Sequence, residues 1–204
     1  RLTESGATLS NGFEAEVRMN KVFLAMLCDD AYQHLFTDEQ RDAIRRYLPP
    51  TISLNEANFA SALARKDELV FKHNTRYGGA SVFMGAEHPA EFLKQTLASP
   101  PSPPFLVERG GPGRGGAEGL EQWIAQQFVE PDVATLYSEE ESTLAEYKFV
   151  LGLYFYNGET NGMLVRGSRI SRVVNLSSGT GKIGWGVVVD AAERQALLAR
   201  LESL

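Results

Sequence analysis

Lys72 is the residue whose position in the sequence most strongly suggests chemistry. It ends the apolar run LVFK, and paired glycines follow a few residues later. A buried ammonium group is costly without a partner, so a lysine that ends a buried strand either reaches solvent or meets an anion. Glycines let backbone N–H groups approach a phosphate closely. On this stretch alone, a surface lysine before a hairpin is the simpler interpretation, because the loop matches neither the Walker A nor the GxGxxG pattern.

Three further groups could contact the same kind of ligand. Lys21 follows Asn20 at the start of an apolar helical stretch, where the helix dipole favours an anion. Arg166 ends the apolar segment GMLVR, and an arginine at a strand end can bind phosphate or carboxylate through two parallel hydrogen bonds. The segment WIAQQFVEP is typical of a core strand whose main chain could offer a donor and an acceptor to an adenine edge. Each group alone is also explained as an ordinary solvated or core residue.

Composition and charge narrow the classes of partner. The chain has 204 residues, of which 43% are hydrophobic and 23% charged, and this is sufficient for a hydrophobic core. The net charge of -6 argues against nucleic acid as the main partner, because phosphate-backbone binding needs a basic face. The single cysteine, Cys28, excludes an internal disulfide and favours a reducing compartment, hence the cytoplasm. No apolar stretch has the length of a membrane span, so no membrane partner is expected. The chain starts at Arg1 rather than at Met, which suggests an upstream part of the same protein.

The first half of the chain predicts the elements that would position these groups. Apolar periodicity and capping signals predict helices over 20–35, over 37–48, from Asn55 onward and over 89–98. Strands are predicted at 68–72, 80–85 and 121–129. Between the last two strands lies a stretch rich in Pro and Gly, residues 99–119, which is interpreted as a flexible insertion.

The C-terminal part predicts an antiparallel meander. Strands are expected at 147–156, 162–166 and 169–175, followed by a glycine-rich loop at 177–186 and a closing helix capped by Asp190 and Glu193. The predicted class is therefore α+β. The expected domain covers residues 1–204 in four segments: a helical lead-in (1–67), a lysine and glycine-loop unit (68–98), the insertion (99–119), and a hinge strand with meander and closing helix (120–204).

The order of these motifs resembles the nucleotide-binding portion of a circularly permuted ATP-grasp ligase of the glutathionylspermidine synthetase-like kind. The chain offers NK, a helix, LVFKHNTRYGG, a helix, WIAQQFVEP, a long strand, a glycine turn and MLVRGS, from about residue 20 to residue 180. The resemblance implies a partial, permuted ATP-grasp fold with helices and antiparallel sheets in two subdomains. It also implies a ligase for which ATP phosphorylates a carboxylate and an amine displaces the phosphate. The expected partners are ATP and small-molecule or peptide carboxylate and amine substrates.

The resemblance assigns expected roles to individual positions. Lys21 and Lys72 would reach the phosphates, and Arg166 would steady the transferred phosphoryl group as the catalytic residue. The loop over the phosphates would consist of Tyr77, Gly78, Gly79 and Ala80. The hinge that reads the adenine edge would consist of Gln126, Gln127, Phe128 and Val129.

Magnesium is the second cofactor that the resemblance implies, and the chain departs from the family at this point. Two Glu-x-Asn triplets occur, at 56–58 and 159–161, but neither stands where the permuted family places its metal ligands, which lie upstream of the first lysine. No metal ligand is therefore predicted in this chain, and the chain by itself is expected to lack turnover. Two alternatives stay open: a phosphotransferase of the same fold with a non-carboxylate acceptor, and a non-catalytic binding or scaffold module.

Overall fold

The chain forms two compact units, residues 1–129 and 130–204, which are described separately. The structure, a computed structural model, describes residues 17–76, 81–98, 119–138, 142–156, 159–172, 174, 181–185 and 189–201. Helices accompany two antiparallel sheets of four strands each, one in either unit, so the predicted α+β class is confirmed. Within the described ranges, no helix is long and apolar enough to cross a membrane.

The helices of the first unit begin where the sequence places capping residues. They are α1 (Val22–Cys28), α2 (Asp38–Tyr47), α3 (Glu56–Ala64) and α4 (Ala90–Ala98). The predicted capping box of α2 is confirmed, because the Thr37 hydroxyl accepts from the Gln40 N–H and the Gln40 side chain accepts from the Thr37 N–H. The Asn55 side chain likewise accepts from two backbone N–H groups at the start of α3. Such caps satisfy donors that the first helical turn leaves without partners.

The single buried helix predicted over 20–35 is wrong. Helix α1 ends at Cys28, Asp29 takes an extended conformation, and a 3-10 helix spans Asp30–Leu35. The Asp29 carboxylate accepts from the Ala31 N–H, so the side chain starts the new turn and competes with continuation of α1. The result is two short helical pieces, most of whose residues are half-buried or exposed.

The strand that comes last in the sequence of the first unit lies in the interior of its sheet. Its strands are β1 (Thr51–Ser53), β2 (Leu69–His73), β3 (Val82–Met84) and β4 (Trp123–Gln127), and their order is β1-β4-β2-β3. Phe71 lies opposite Ala125, whereas Val70 and Thr51 both lie opposite Gln126. Since side chains alternate between faces along a strand, Thr51, Gln126 and Lys72 share one face and Phe71 and Ala125 share the other.

The hydrophobic core lies on the face of Phe71 and Ala125. Helices α3 and α4 contribute to it, and its fully buried members include Leu54, Leu93 and Leu97. A close backbone approach lies at the edge of this unit: a Cβ at Gly85, just after β3, would stand 1.9 Å from the carbonyl oxygen of Lys66. The lysine side chain also donates to the Gly85 carbonyl at 3.0 Å. The core thus holds β2 rigidly, and β2 carries Lys72.

The second unit is a sequential antiparallel meander. Its elements are β5 (Val133–Ser138), β6 (Thr143–Tyr156), β7 (Glu159–Ser168), β8 (Gly181–Trp185) and α5 (Ala191–Leu201). The predicted cap of the closing helix is confirmed, because Asp190 and Glu193 each accept the backbone N–H of the other. Strands β6 and β7 match the prediction with longer bounds, whereas β5 was not predicted.

Two predicted features of the meander are wrong. Residues 169–172 and 174 are not in a strand, because the Ser168 hydroxyl accepts from the N–H groups of Ile170 and Ser171 and turns the chain away from the sheet. The fourth strand is instead β8, inside the stretch that was expected to be a glycine-rich loop, and it pairs with β7. Glycine is disfavoured in strands but not excluded when a neighbouring strand supplies hydrogen bonds.

Two predicted segments lie outside the described residues. These are the phosphate loop, Tyr77, Gly78, Gly79 and Ala80, and residues 99–118 of the expected insertion. The roles predicted for both segments stay predictions.

Candidate functional site

Lys72 lies on the sheet face opposite the main core and is half-buried there. Its Nζ donates to Oε1 of Gln126 at 2.5 Å. Burial lowers the pKa of Lys72 below its usual value of 10.5, and the nearby charge of Lys21 lowers it further. A lysine held in this way keeps a strong local positive potential, because its hydrogen-bond partner carries no negative charge.

The Gln126 side chain is itself held from the other end. Its Nε2 donates to the Thr51 hydroxyl oxygen at 2.8 Å, and that hydroxyl donates to the Pro49 carbonyl at 2.8 Å. Gln126 and Thr51 are both buried, at 7% and 3% exposure. Three strands, β1, β4 and β2, therefore contribute to one chain of hydrogen bonds that ends at the Lys72 ammonium group.

Lys21 lies at the start of α1 and is tied to the segment that follows β2. Its Nζ donates to the Arg76 carbonyl at 2.6 Å, and its backbone N–H donates to the Asn74 carbonyl at 2.9 Å. Burial lowers the pKa of Lys21. The two predicted phosphate lysines are thus brought together, since the charge of one shifts the pKa of the other.

Arg76 adds a third cation that the sequence reasoning missed. Its charge and that of Lys21 lower the pKa of His73, although burial of the imidazole has the larger effect and the hydrogen bond to Gln122 opposes it. The Arg76 guanidinium also lies 3.4 Å from the Ser81 hydroxyl. The signal that could have identified Arg76 is a basic residue four positions after the strand lysine and two positions before the paired glycines.

His73 and Asn74 shape the back of the same cluster. His73 is 6% exposed, its Nδ1 accepts from the Thr75 N–H, and its Nε2 therefore donates to the Gln122 side-chain oxygen at 2.9 Å. Asn74 donates from Nδ2 to the Glu121 carbonyl, while its buried Oδ1 has no hydrogen-bond partner among the residues that the structure describes. A neutral histidine and a buried amide thus support the segment that carries Arg76.

The predicted hinge occupies a different setting from the one expected. Strand β4 is internal to the sheet, so Gln126 lies between partners on β1 and β2. Beyond it, the Gln127 N–H donates to the Pro50 carbonyl and the Phe128 N–H donates to the Glu68 carbonyl, each at 2.8 Å. The N–H groups of Gln127 and Phe128 thus already have partners, and the expectation that main-chain groups near Gln126 and Val129 read the adenine edge stays a prediction. Val129, the last residue of the first unit, is 62% exposed.

Arg166 lies in the second unit, on β7. It stands opposite Val150 of β6 and Ile183 of β8. Within the described residues its buried Nε has no hydrogen-bond partner, and an Nη atom would lie 3.7 Å from a Cβ at Gly152. A guanidinium Nε that is buried without a partner is costly, so this side chain has donor capacity available for a ligand.

The metal ligands are expected upstream of Lys21, and the described residues form no metal site. Among residues 17–76, 81–98 and the other described ranges, no group of three or more His, Cys, Asp or Glu side chains could hold a metal ion. In the rejected triplet at 56–58, the Asn58 side chain is occupied by the cap at Asn55 and by a bond to the Ser53 carbonyl. The expectation of upstream magnesium ligands stays a prediction.

Comparisons with protein-family models and with curated proteins found no match for this chain. The cluster of Lys21, Lys72 and Arg76, which is hereafter called the cationic cluster, is therefore interpreted from its own geometry and from the order of motifs in the sequence.

Proposed function

We propose that the cationic cluster binds the phosphates of ATP and that the chain is the nucleotide-binding portion of an ATP-dependent carboxylate–amine ligase of ATP-grasp type. The observation that carries this proposal is Lys72, a half-buried lysine whose recorded side-chain partner is the neutral amide of Gln126. Its pKa is lowered by burial and by a second lysine, and among the described residues no carboxylate opposes that shift. A protein that keeps such unfavourable charges together is expected to use them to bind an anion.

A polyphosphate fits this cluster better than a single carboxylate does. The three cations lie at the start of α1, on β2 and in the segment after β2, and these segments are joined by the hydrogen bonds from Lys21. They can contact several oxygen atoms along an extended chain of negative charge. Each charge-assisted contact in a partly buried site is stronger than the same contact in water. The paired glycines that follow Arg76 in sequence support the same interpretation, because glycine allows backbone N–H groups close to phosphate oxygens.

In the proposed reaction, Lys21, Lys72 and Arg76 hold ATP and offset the negative charge that develops during phosphoryl transfer. The donor capacity of Arg166 Nε, in the second unit, supports its proposed role with the transferred group or the acylphosphate. Magnesium, for which no ligand is predicted in this chain, would neutralise part of the phosphate charge if it were bound. The carboxylate substrate would be activated as an acylphosphate, and the amine would displace phosphate. ATP dependence is compatible with the cytoplasmic location that the single cysteine favours.

Calorimetric titration of the wild-type chain and of Lys72→Met with ATP tests the proposal. Removing one charge-assisted contact should cost ~1.5–3 kcal/mol, which corresponds to an affinity roughly 10- to 150-fold weaker. Lys94→Met is the matched control, because Lys94 is an exposed lysine on α4 in the same unit. Equal affinities of wild type and Lys72→Met for ATP would contradict the phosphate assignment.

The reaction class requires a second experiment with ATP, magnesium and panels of carboxylates and amines. A ligase releases ADP and phosphate, and hydroxylamine traps its acylphosphate as a hydroxamate. A phosphorylated product that resists hydroxylamine would favour the phosphotransferase alternative. Binding of ATP without any turnover by the protein with its upstream part would favour a binding module.

A further inference from the structure

We propose that Gln126 is the positioning residue of the cationic cluster: the Thr51–Gln126–Lys72 chain aims the Lys72 ammonium group and leaves its charge available to the ligand. This inference rests on the proposed phosphate site, but it concerns the side chain of Gln126, whereas the role expected from the resemblance concerns its main chain. It follows from the direction of each hydrogen bond in the chain and from the charge of its members.

The direction of the Gln126 amide is fixed by its buried partner. The Thr51 hydroxyl has one hydrogen, and this hydrogen is used in the 2.8 Å bond to the Pro49 carbonyl. The Thr51 oxygen must then accept, and Gln126 Nε2 is the donor at 2.8 Å. The opposite end of the amide, Oε1, is consequently turned to the Lys72 ammonium group. A rotated amide would place its Nε2 donor against the Lys72 ammonium group and its oxygen against the Thr51 oxygen, whose only hydrogen is already used.

The neutrality of Gln126 decides what Lys72 can do. An ammonium group has three N–H donors, and the amide oxygen takes one of them. A glutamate at the same position would take that bond too, but it would form a buried ion pair and cancel the charge. Glutamine orients the lysine and preserves its full positive charge. The charge of Lys21 adds to the positive potential at Lys72.

Preserving that charge has a cost in the unliganded protein. Lys72 is desolvated and repelled by Lys21, and both effects lower its pKa. A carboxylate at position 126 would relieve this penalty. The electrostatic penalty on Lys72 in the unliganded protein thus favours a carboxylate at position 126, whereas anion binding favours a neutral side chain. A glutamine with only a structural role would show no such opposition.

The experiment compares wild type with Gln126→Glu, which keeps the side-chain shape and adds one negative charge. ATP affinity is expected to fall roughly tenfold or more, because a buried pair of opposite charges removes the attraction for phosphate. The new ion pair with Lys72 should raise the melting temperature of the unliganded protein, and the loss of the Nε2 donor to Thr51 should lower it, so ATP affinity is the deciding readout. Gln95→Glu is the matched control, because it adds the same charge at an exposed position on α4 and should leave both quantities unchanged.

Gln126→Met provides the second variant, since it removes both hydrogen bonds and adds no charge. Its ATP affinity should lie between those of wild type and Gln126→Glu. If Gln126→Met binds ATP as weakly as Gln126→Glu, the charge argument is wrong; if Gln126→Glu binds ATP as wild type does, the whole inference is overturned. Should Gln126→Glu not fold, an affinity of Gln126→Met equal to that of wild type overturns the positioning role.

A measurement without nucleotide separates this inference from the proposed function. Reductive 13C-methylation and NMR give the titration of Lys72 in the unliganded protein, and Gln126→Glu should move its pKa upward. Wild-type protein that binds neither ATP nor inorganic tripolyphosphate would overturn the proposed function. If the wild type binds neither ligand but Gln126→Glu still raises the pKa of Lys72, the proposed function fails while Gln126 still governs the charge of Lys72. If Gln126→Glu leaves the pKa of Lys72 unchanged, this inference is refuted whether or not ATP binds.

Discussion

Gly85→Ala is expected to destabilise the unit that carries the cationic cluster. An added Cβ would lie 1.9 Å from the Lys66 carbonyl oxygen, 2.7 Å from its carbon and 3.0 Å from the Leu69 carbonyl oxygen. All three atoms are backbone, so no side-chain rotation can relieve the overlap. Overpacking usually costs about 1–3 kcal/mol, and a contact this short against backbone belongs at or above the upper end.

The consequence for the melting temperature can be worked out from that value. For a chain of this size, 1 kcal/mol at the melting temperature corresponds to about 2–4 °C, so about 3 kcal/mol predicts a decrease of roughly 6–12 °C. Denaturant unfolding followed by circular dichroism measures the free energy directly. Gly184→Ala in β8 is the control, because an added Cβ there meets nothing within 4 Å. An unchanged unfolding midpoint for Gly85→Ala would refute the close approach between the turn after β3 and the Lys66 backbone.

Three further outcomes follow from the site. Arg166→Ala should lower kcat more than it weakens ATP binding, because a group that contacts developing charge acts mainly on turnover; equal losses in steady-state kinetics and calorimetry would indicate a ground-state role. The free energy of unfolding should fall as the pH drops below 6.5, since the pKa of His73 is lowered in the folded state and the unfolded chain takes up its proton first; His73→Gln should flatten that dependence in urea titrations. ATP affinity should decline as the pH rises before an ordinary lysine at 10.5 would lose its proton, because burial and Lys21 lower the pKa of Lys72; affinity that is constant up to pH 10.5 in calorimetry would contradict this.

The elements with local signals were predictable from the sequence. Thr37 with Gln40, Asn55, and Asp190 with Glu193 are short-range caps, and all of them occur in the structure. Strand β2 was found because three consecutive apolar residues precede its lysine. These features depend on neighbours within four residues, so they need no knowledge of the rest of the fold.

The elements that depend on distant partners were not predictable in this way. Strand β1 has three residues, and it is a strand because it pairs with β4 more than 65 positions later. Residues 169–172 have the composition of a strand, yet the Ser168 hydroxyl turns them away, whereas glycine-rich β8 pairs with β7. Tertiary pairing thus overrode local propensity in both directions.

The site shows the same division between local and distant information. Lys21 and Lys72 were identified by their positions beside apolar runs, and the structure brings them together. The role of the Gln126 side chain required the register of three strands, because Thr51 and Lys72 reach it from either side of β4. No spacing within a single strand contains that information.

The central position of β4 has a consequence for how the protein folds. Strands β1, β2 and β3 come first in the chain, but β1 has no partner in this sheet until β4 is inserted between it and β2. That insertion closes a loop of more than 65 residues from Thr51 to Gln126, and such non-local pairing slows folding. During synthesis, Lys72 would lack its hydrogen-bond partner Gln126 until β4 had left the ribosome. The proposed capacity to bind a nucleotide should consequently appear late, in the same cooperative step that completes the sheet.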